Sequence, residues 1–137
     1  MAQRYFVGID GGGTKTEVIV SDQNGQIIGN GLSGPTNLDS VVEAVSCANL
    51  LAAVEYALGT IDKSQSELYV YMGASGVDTD VEIARSTEVF GRALAHLPIK
   101  KFIVINDGFI ALASGTDNPN SLILIGLTLI TSYVITL

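Results

Sequence analysis

The sequence predicts an α/β domain built on a mixed sheet of five or more strands, with helices on both faces. Apolar runs rich in β-branched residues alternate with longer segments whose apolar residues recur at helical spacing, in the order β-β-β-α-β-α-β-α. The first three strands are joined by turns short enough for antiparallel hairpins, one through three consecutive glycines and one through Asn24-Gly25. The later strands are separated by helices, and helical crossovers set successive strands parallel.

Residues 4–10 (RYFVGID) are apolar on both faces through Tyr5, Phe6, Val7 and Ile9, which suits a central, covered strand. Residues 16–22 form the second strand, and Asn24-Gly25 turns the chain into a third over residues 26–31. Ser33-Gly34-Pro35-Thr36-Asn37 is a loop by composition. A helix follows. Ser40 and Glu43 have capping-box spacing, Gly59 is placed to end the helix, and Val41, Val45, Cys47, Leu51, Val54 and Leu58 form its apolar stripe. Residues 64–67 are a polar connection into a fourth strand, residues 68–72. Gly73-Ala74-Ser75-Gly76 is a small-residue turn feeding a second helix over residues 78–97, closed by Pro98. A fifth strand, residues 101–105, ends in Asn106-Asp107; a short helix over residues 108–114 and a turn-rich stretch to residue 120 follow.

The 137 residues are one domain's worth of chain, long enough to bury a core. Only 15% of residues are charged, against about a quarter in ordinary proteins, and the mean hydropathy is +0.42. That excess calls for a large core or an apolar surface awaiting a partner. The net charge of −7 argues against nucleic acid as a partner. The single cysteine, Cys47, has no internal disulfide partner and lies in an apolar helical run, so it is expected to be structural in a reducing cytoplasm. The N-terminal apolar run is too short for a signal peptide.

Residues 7–16 (VGIDGGGTKT) carry the chemistry. The amides of Gly11, Gly12 and Gly13 can approach an anion closely because no side chain intervenes. Thr14 and Thr16 add hydroxyls, Lys15 adds positive charge, and Asp10 is placed to hold a hydrated Mg²⁺. This is not a P-loop, since Thr14 separates Gly13 from Lys15. Nor is it a dinucleotide fingerprint, because Glu17-Val18-Ile19-Val20 is strand-forming where a helix should open. The glycines therefore turn one strand into the next, and the phosphates of a nucleotide would sit against a hairpin. The predicted topology also brings Asp10, residues 73–76 and Asn106-Asp107 to the carboxyl ends of strands, where ligands of open α/β sheets gather. Asp78 and Asp80 are helix-start residues, and His96 lies where it would meet a helix C-terminus.

Gly8-Ile9-Asp10-Gly11-Gly12-Gly13-Thr14-Lys15-Thr16, then Ser33-Gly34-Pro35-Thr36-Asn37, Gly73-Ala74-Ser75-Gly76 and Ile105-Asn106-Asp107, in this order, resemble the actin/hexokinase/Hsp70 ATPase superfamily. Within it they are most similar to BadF/BadG/BcrA/BcrD-type ATPases and N-acetylglucosamine kinase-like sugar kinases, over about residues 4–126. The resemblance implies a ribonuclease H-like, actin-type ATPase lobe in the cytoplasm that uses ATP and Mg²⁺ on an amino sugar. It implies that Gly11, Gly12, Gly13, Thr14, Lys15 and Thr16 form a first phosphate loop and that Asp10 acts through the metal. Asn37, Ser75 and Asn106 would touch the sugar, and Asp107 would be the base that takes the sugar hydroxyl's proton. Asp107 could equally be a helix N-cap and Asn37 an ordinary loop residue.

The family pattern breaks late. Such kinases carry a second phosphate loop of the Gly-Thr-Gly-Ser kind, followed by a second lobe, and here Gly126-Leu127-Thr128-Leu129 stands at that place. Residues 1–120 are thus expected to be the N-terminal lobe, residues 121–137 an apolar strand-forming tail, and the second lobe to be absent from this chain. The tail has no charge; its 17 residues fall short of the roughly 20 that span a bilayer, and a membrane anchor is not expected. Two rival functions stand beside the kinase. One is an ATPase that activates a partner enzyme, which would need cysteines for an iron–sulfur cluster. The other is a non-catalytic lobe that dimerises through apolar surface.

Overall fold

The computed structural model describes residues 2–107, 121–126 and 131–136, the last two segments by their backbone. Its main sheet is formed by β1 (Gln3–Gly11), β2 (Thr16–Asp22), β3 (Ile27–Ser33), β4 (Ser66–Ala74) and β5 (Ile99–Asn106), in the spatial order β3-β2-β1-β4-β5. The first three strands pair antiparallel, and β1, β4 and β5 pair parallel, as hairpins and helical crossovers dictate. Helix α1 (Glu43–Leu58) connects β3 to β4, and α2 (Asp80–Ala93) connects β4 to β5. A separate antiparallel hairpin, β6 (Ser121–Gly126) with β7 (Thr131–Thr136), makes the tail strand rather than helix. The predicted helix over residues 108–114 and the Gly-Leu-Thr-Leu stretch after Ile125, apart from Gly126, lie outside the described residues.

Among the described residues both helices lie on one face of the sheet. Side chains alternate across a strand, so Val7, Ile9, Val18, Val20, Val70, Met72 and Val104 point to that face and pack under Leu50, Val54, Leu58, Val89 and Phe90. Each such aliphatic side chain contributes on the order of 1.5–3 kcal/mol of burial. The second face carries Tyr71, 1% exposed, among Phe6, Tyr69, Ile103 and Ile105. At β3 the sheet meets the helix backbone directly. A Cβ on Gly29 or Gly31 would collide with the carbonyl oxygens of Ala57 and Ala53, so only glycine lets α1 lie this close.

Four local expectations change in the structure. The Ser40–Glu43 capping box does not form, because Asn37 opens a turn that claims this backbone: the Ser40 and Val41 amides both donate to the Asn37 carbonyl (3.2 and 2.9 Å). Helix α1 begins after Val42 with no side-chain cap, and its buried stripe is Ser46, Leu50, Ala53, Val54, Ala57 and Leu58, rotated from the expected one so that Val45 is exposed. The α2 cap is Thr79 rather than Asp78 or Asp80. Thr79 accepts from the Glu82 amide, and the Glu82 carboxylate accepts from the Asp78 and Thr79 amides (both 2.8 Å). His96 pairs with Glu55 of α1 (2.8 Å), which Lys63 also holds, in place of a helix C-terminus.

Candidate active site

The strand register brings the predicted site residues to one edge. Across β1, β4 and β5, Asp10 lies opposite Gly73 and Gly73 opposite Ile105; one step on, Gly11, Ala74 and Asn106 form a second row. Asp107 follows Asn106 and is exposed. Three chain segments distant in sequence thus end side by side, at the carboxyl ends of parallel strands.

The glycine turn is stitched into this edge. The Gly12 amide donates to the Lys15 carbonyl (2.9 Å), closing the hairpin. The Gly11 carbonyl accepts from the Ser75 amide (2.9 Å), and the Gly12 carbonyl accepts from the Thr36 amide (3.2 Å). The three glycines answer to different demands. A Cβ at Gly11 would lie 2.6 Å from Thr36 Oγ1 and 2.7 Å from Met72 Cε, and one at Gly12 would lie 2.9 Å from the Lys15 carbonyl oxygen. At Gly13 it would meet nothing within 4 Å. Gly13, Thr14 and Lys15 are exposed, and their amides donate to no acceptor among the described residues. Consecutive unclaimed amides at a turn are the donors an anion needs.

Not every residue of the motif is turned toward the tip. Thr16 is fully buried and its hydroxyl donates to Thr36 Oγ1 (3.1 Å), so it braces the turn from the helical face. Lys15 Nζ is held by Glu17 Oε1 (2.5 Å). Glu17 is the register partner of Asp10, and its second carboxylate oxygen is buried without a hydrogen-bond partner among the described residues. Burial, then the nearby charges of Glu17 and Asp107, push the Asp10 carboxyl above its ordinary range, with Lys15 opposing. The edge therefore holds negative charge in want of a cation. Among the described residues no three His, Cys, Asp or Glu side chains converge to cage a metal. The donor set nonetheless fits Mg²⁺, which keeps most of its water and takes one or two carboxylates plus phosphate oxygens.

On the other side, Asn37 Oδ1 accepts from the Asp39 amide (2.9 Å), and the Asn37 and Asp39 side chains lie against Gly76. Ser75 Oγ is buried with no partner among the described residues, beside a shallow cleft shared by Thr36, Asp39, Gly76 and Arg85. Asn106 Nδ2 donates to the Val77 carbonyl (2.7 Å) and to Asp78 Oδ1 (2.8 Å), so Asn106 locks β5 to the loop after β4. Sequence reasoning missed Thr36, Glu17 and Asp78 as members of this edge. Glu17 was findable: counting back through the hairpin from the three-glycine turn puts it opposite Asp10. Cys47 lies half-buried beside the Val89 carbonyl of α2, with its thiol raised chiefly by burial, a structural setting rather than a cluster ligand. No helix among the described residues is long and apolar enough to cross a membrane.

A model of the BadF/BadG/BcrA/BcrD ATPase family matches residues 7–135. An N-acetyl-D-glucosamine kinase of Dictyostelium discoideum is 32% identical over 129 residues, covering 85% of this chain and 39% of that protein. An N-acetylmuramic acid/N-acetylglucosamine kinase of Clostridium acetobutylicum is 31% identical over 123 residues, covering 89% of this chain and 39% of that protein. The chain thus spans about two fifths of the length of these relatives. Among solved structures, a ROK family glucokinase from Streptomyces griseus in complex with glucose and AMPPNP aligns with a TM-score of 0.58 at 22% identity, over 87% of this chain and 40% of that one. That likeness establishes the fold.

Proposed function

The chain belongs to the BadF/BadG/BcrA/BcrD ATPase family, and from that premise we propose that it is the nucleotide- and sugar-contacting N-terminal part of an ATP-dependent amino-sugar kinase. The observation that carries the reading is the register that sets Asp10, the residue 73–76 turn and Asn106-Asp107 side by side. The amides of Gly13, Thr14 and Lys15 donate to the phosphate oxygens of ATP. Asp10 would hold a hydrated Mg²⁺, which would supply charge neutralisation at the phosphates. Asn37 and Ser75 orient the sugar, and Asp107, exposed at the end of β5, takes the proton of the attacking hydroxyl. Phosphoryl transfer asks for little beyond this positioning and neutralisation. Its relatives' names favour N-acetylglucosamine as the sugar.

Because the chain spans two fifths of those relatives, the expected activity of these 137 residues alone is binding with weak or undetectable turnover. Amide NMR titration tests this. Mg·ATP should shift Gly13, Thr14 and Lys15, and N-acetylglucosamine should shift Asn37 and Ser75. Asp107→Asn should weaken the sugar response while leaving the nucleotide response intact. A chain that responds to neither ligand, or steady-state turnover by the isolated chain, would overturn the reading.

A further inference from the structure

We infer that Glu17 is a positioning residue for phosphate binding: it holds the Lys15 ammonium back from the glycine tip in the free chain and releases it when a metal cation is bound at Asp10. The inference rests on the proposed placing of phosphates at that tip. Glu17 stands on β2 directly opposite Asp10 of β1, with Leu32 of β3 on its other side. Alternation along β2 buries Thr16, Val18 and Val20 under the helices, so Glu17 takes the opposite face. Two carboxylates directly opposite each other weaken a sheet, so folding does not ask for Glu17.

The charge at this pair is only partly compensated. Lys15 Nζ lies 2.5 Å from Glu17 Oε1, and among the described residues no other cation pairs with either carboxylate. The Glu17 side chain is 13% exposed, with Oε2 buried and unpartnered among the described residues, whereas the Lys15 side chain is 51% exposed. The carboxylate is thus the fixed member and the ammonium the one free to swing. Lys15 also supplies one of the three unclaimed tip amides, so its backbone stands at the tip while its charge is drawn to the sheet. The two demands on Lys15 compete. A phosphate that takes the ammonium leaves Glu17 largely buried and unpaired beside Asp10, which is costly. With a divalent cation at Asp10 that cost is removed, and Lys15 is free to turn to the phosphates. Glu17 thereby makes the tip favour a nucleotide that arrives with its metal over one that arrives without it.

NMR titration of the full chain, following amides and the Lys15 side chain, with ATP in chelator and with Mg·ATP, tests the inference. In the unsubstituted chain Mg·ATP should move the Lys15 side-chain signal together with the Gly13 amide, while metal-free ATP should move the amide alone. Glu17→Gln should tighten metal-free ATP by about tenfold and Mg·ATP by much less, narrowing the preference for the metal complex. In a Lys15→Met background Glu17→Gln should lose that gain; if Glu17 acted only as a repelling charge, the gain would persist or grow. A Lys15 side chain that ignores Mg·ATP while Gly13 responds overturns the inference and leaves the placing of phosphates standing. So does a Glu17→Gln chain with no gain, or a gain that survives Lys15→Met undiminished. Tip amides that respond to neither form of ATP overturn both.

Discussion

Gly13→Ala separates folding from ligand binding at the hairpin, because nothing in the folded chain requires glycine there. A Cβ at this position meets no atom within 4 Å, and the backbone is not in the left-handed region. Alanine should therefore leave the ligand-free protein unchanged or stabilise it by up to about 1 kcal/mol, through the lower entropy of the unfolded chain. On the proposed placing of phosphates at this tip, the methyl group would stand in the space an anion enters to reach the Gly13 and Thr14 amides. Losing one charge-assisted hydrogen bond costs about 1.5–3 kcal/mol, which is about tenfold or more in affinity. The assay is thermal unfolding with and without Mg·ATP. At a hundred times the dissociation constant, nucleotide stabilises by about 2.7 kcal/mol; a tenfold weaker site leaves about 1.4. For a domain of this size about 1 kcal/mol moves Tm by about 4 °C, so the nucleotide-induced rise should fall from about 11 °C to about 6 °C. A variant with the full rise would refute the placing of phosphates at this tip. A variant much less stable without nucleotide would refute the open space around Gly13.

Three further outcomes follow from the same geometry. Asp10 has a raised folded pKa, so its contribution to stability is full below the ordinary value of 3.8 and is lost as pH rises through the folded value; Asp10→Asn should raise the ligand-free Tm at neutral pH and not well below pH 3.8, and an equal rise at both would contradict the charge crowding. Gly31→Ala forces a methyl against the Ala53 carbonyl and should cost about 1–3 kcal/mol or more by urea unfolding, where a neutral result would mean that α1 does not lie as close to β3. Thr79→Ala removes the α2 cap and should cost about 1 kcal/mol at neutral pH, measured the same way; no loss would show that Glu82 alone satisfies the helix start.

The hairpin, the two helical crossovers and the meeting of Asp10 with Asn106-Asp107 were legible because each rests on local rules: glycine turns, helical spacing, and the carboxyl ends of parallel strands. What escaped were facts of packing. The apolar residues of α1 outnumber one stripe, so spacing alone did not say which face the sheet takes, and Gly29 and Gly31 settled it by admitting Ala53 and Ala57. The hydroxyl of Thr16 reads in the sequence as one more donor beside the glycines, and its packing escaped that reading: strand alternation turns it inward onto Thr36. His96 found a partner 41 positions away, on Glu55, which no local rule can foresee.

Asn106 couples the candidate base mechanically to a helix. Its amide grips Val77 and Asp78, and Asp78 and Thr79 are in turn gripped by Glu82 of α2. The start of α2 and the end of β5, with Asp107 just after it, are therefore joined by one run of hydrogen bonds. Any substitution that shifts the start of α2 would then reach the end of β5 without touching it.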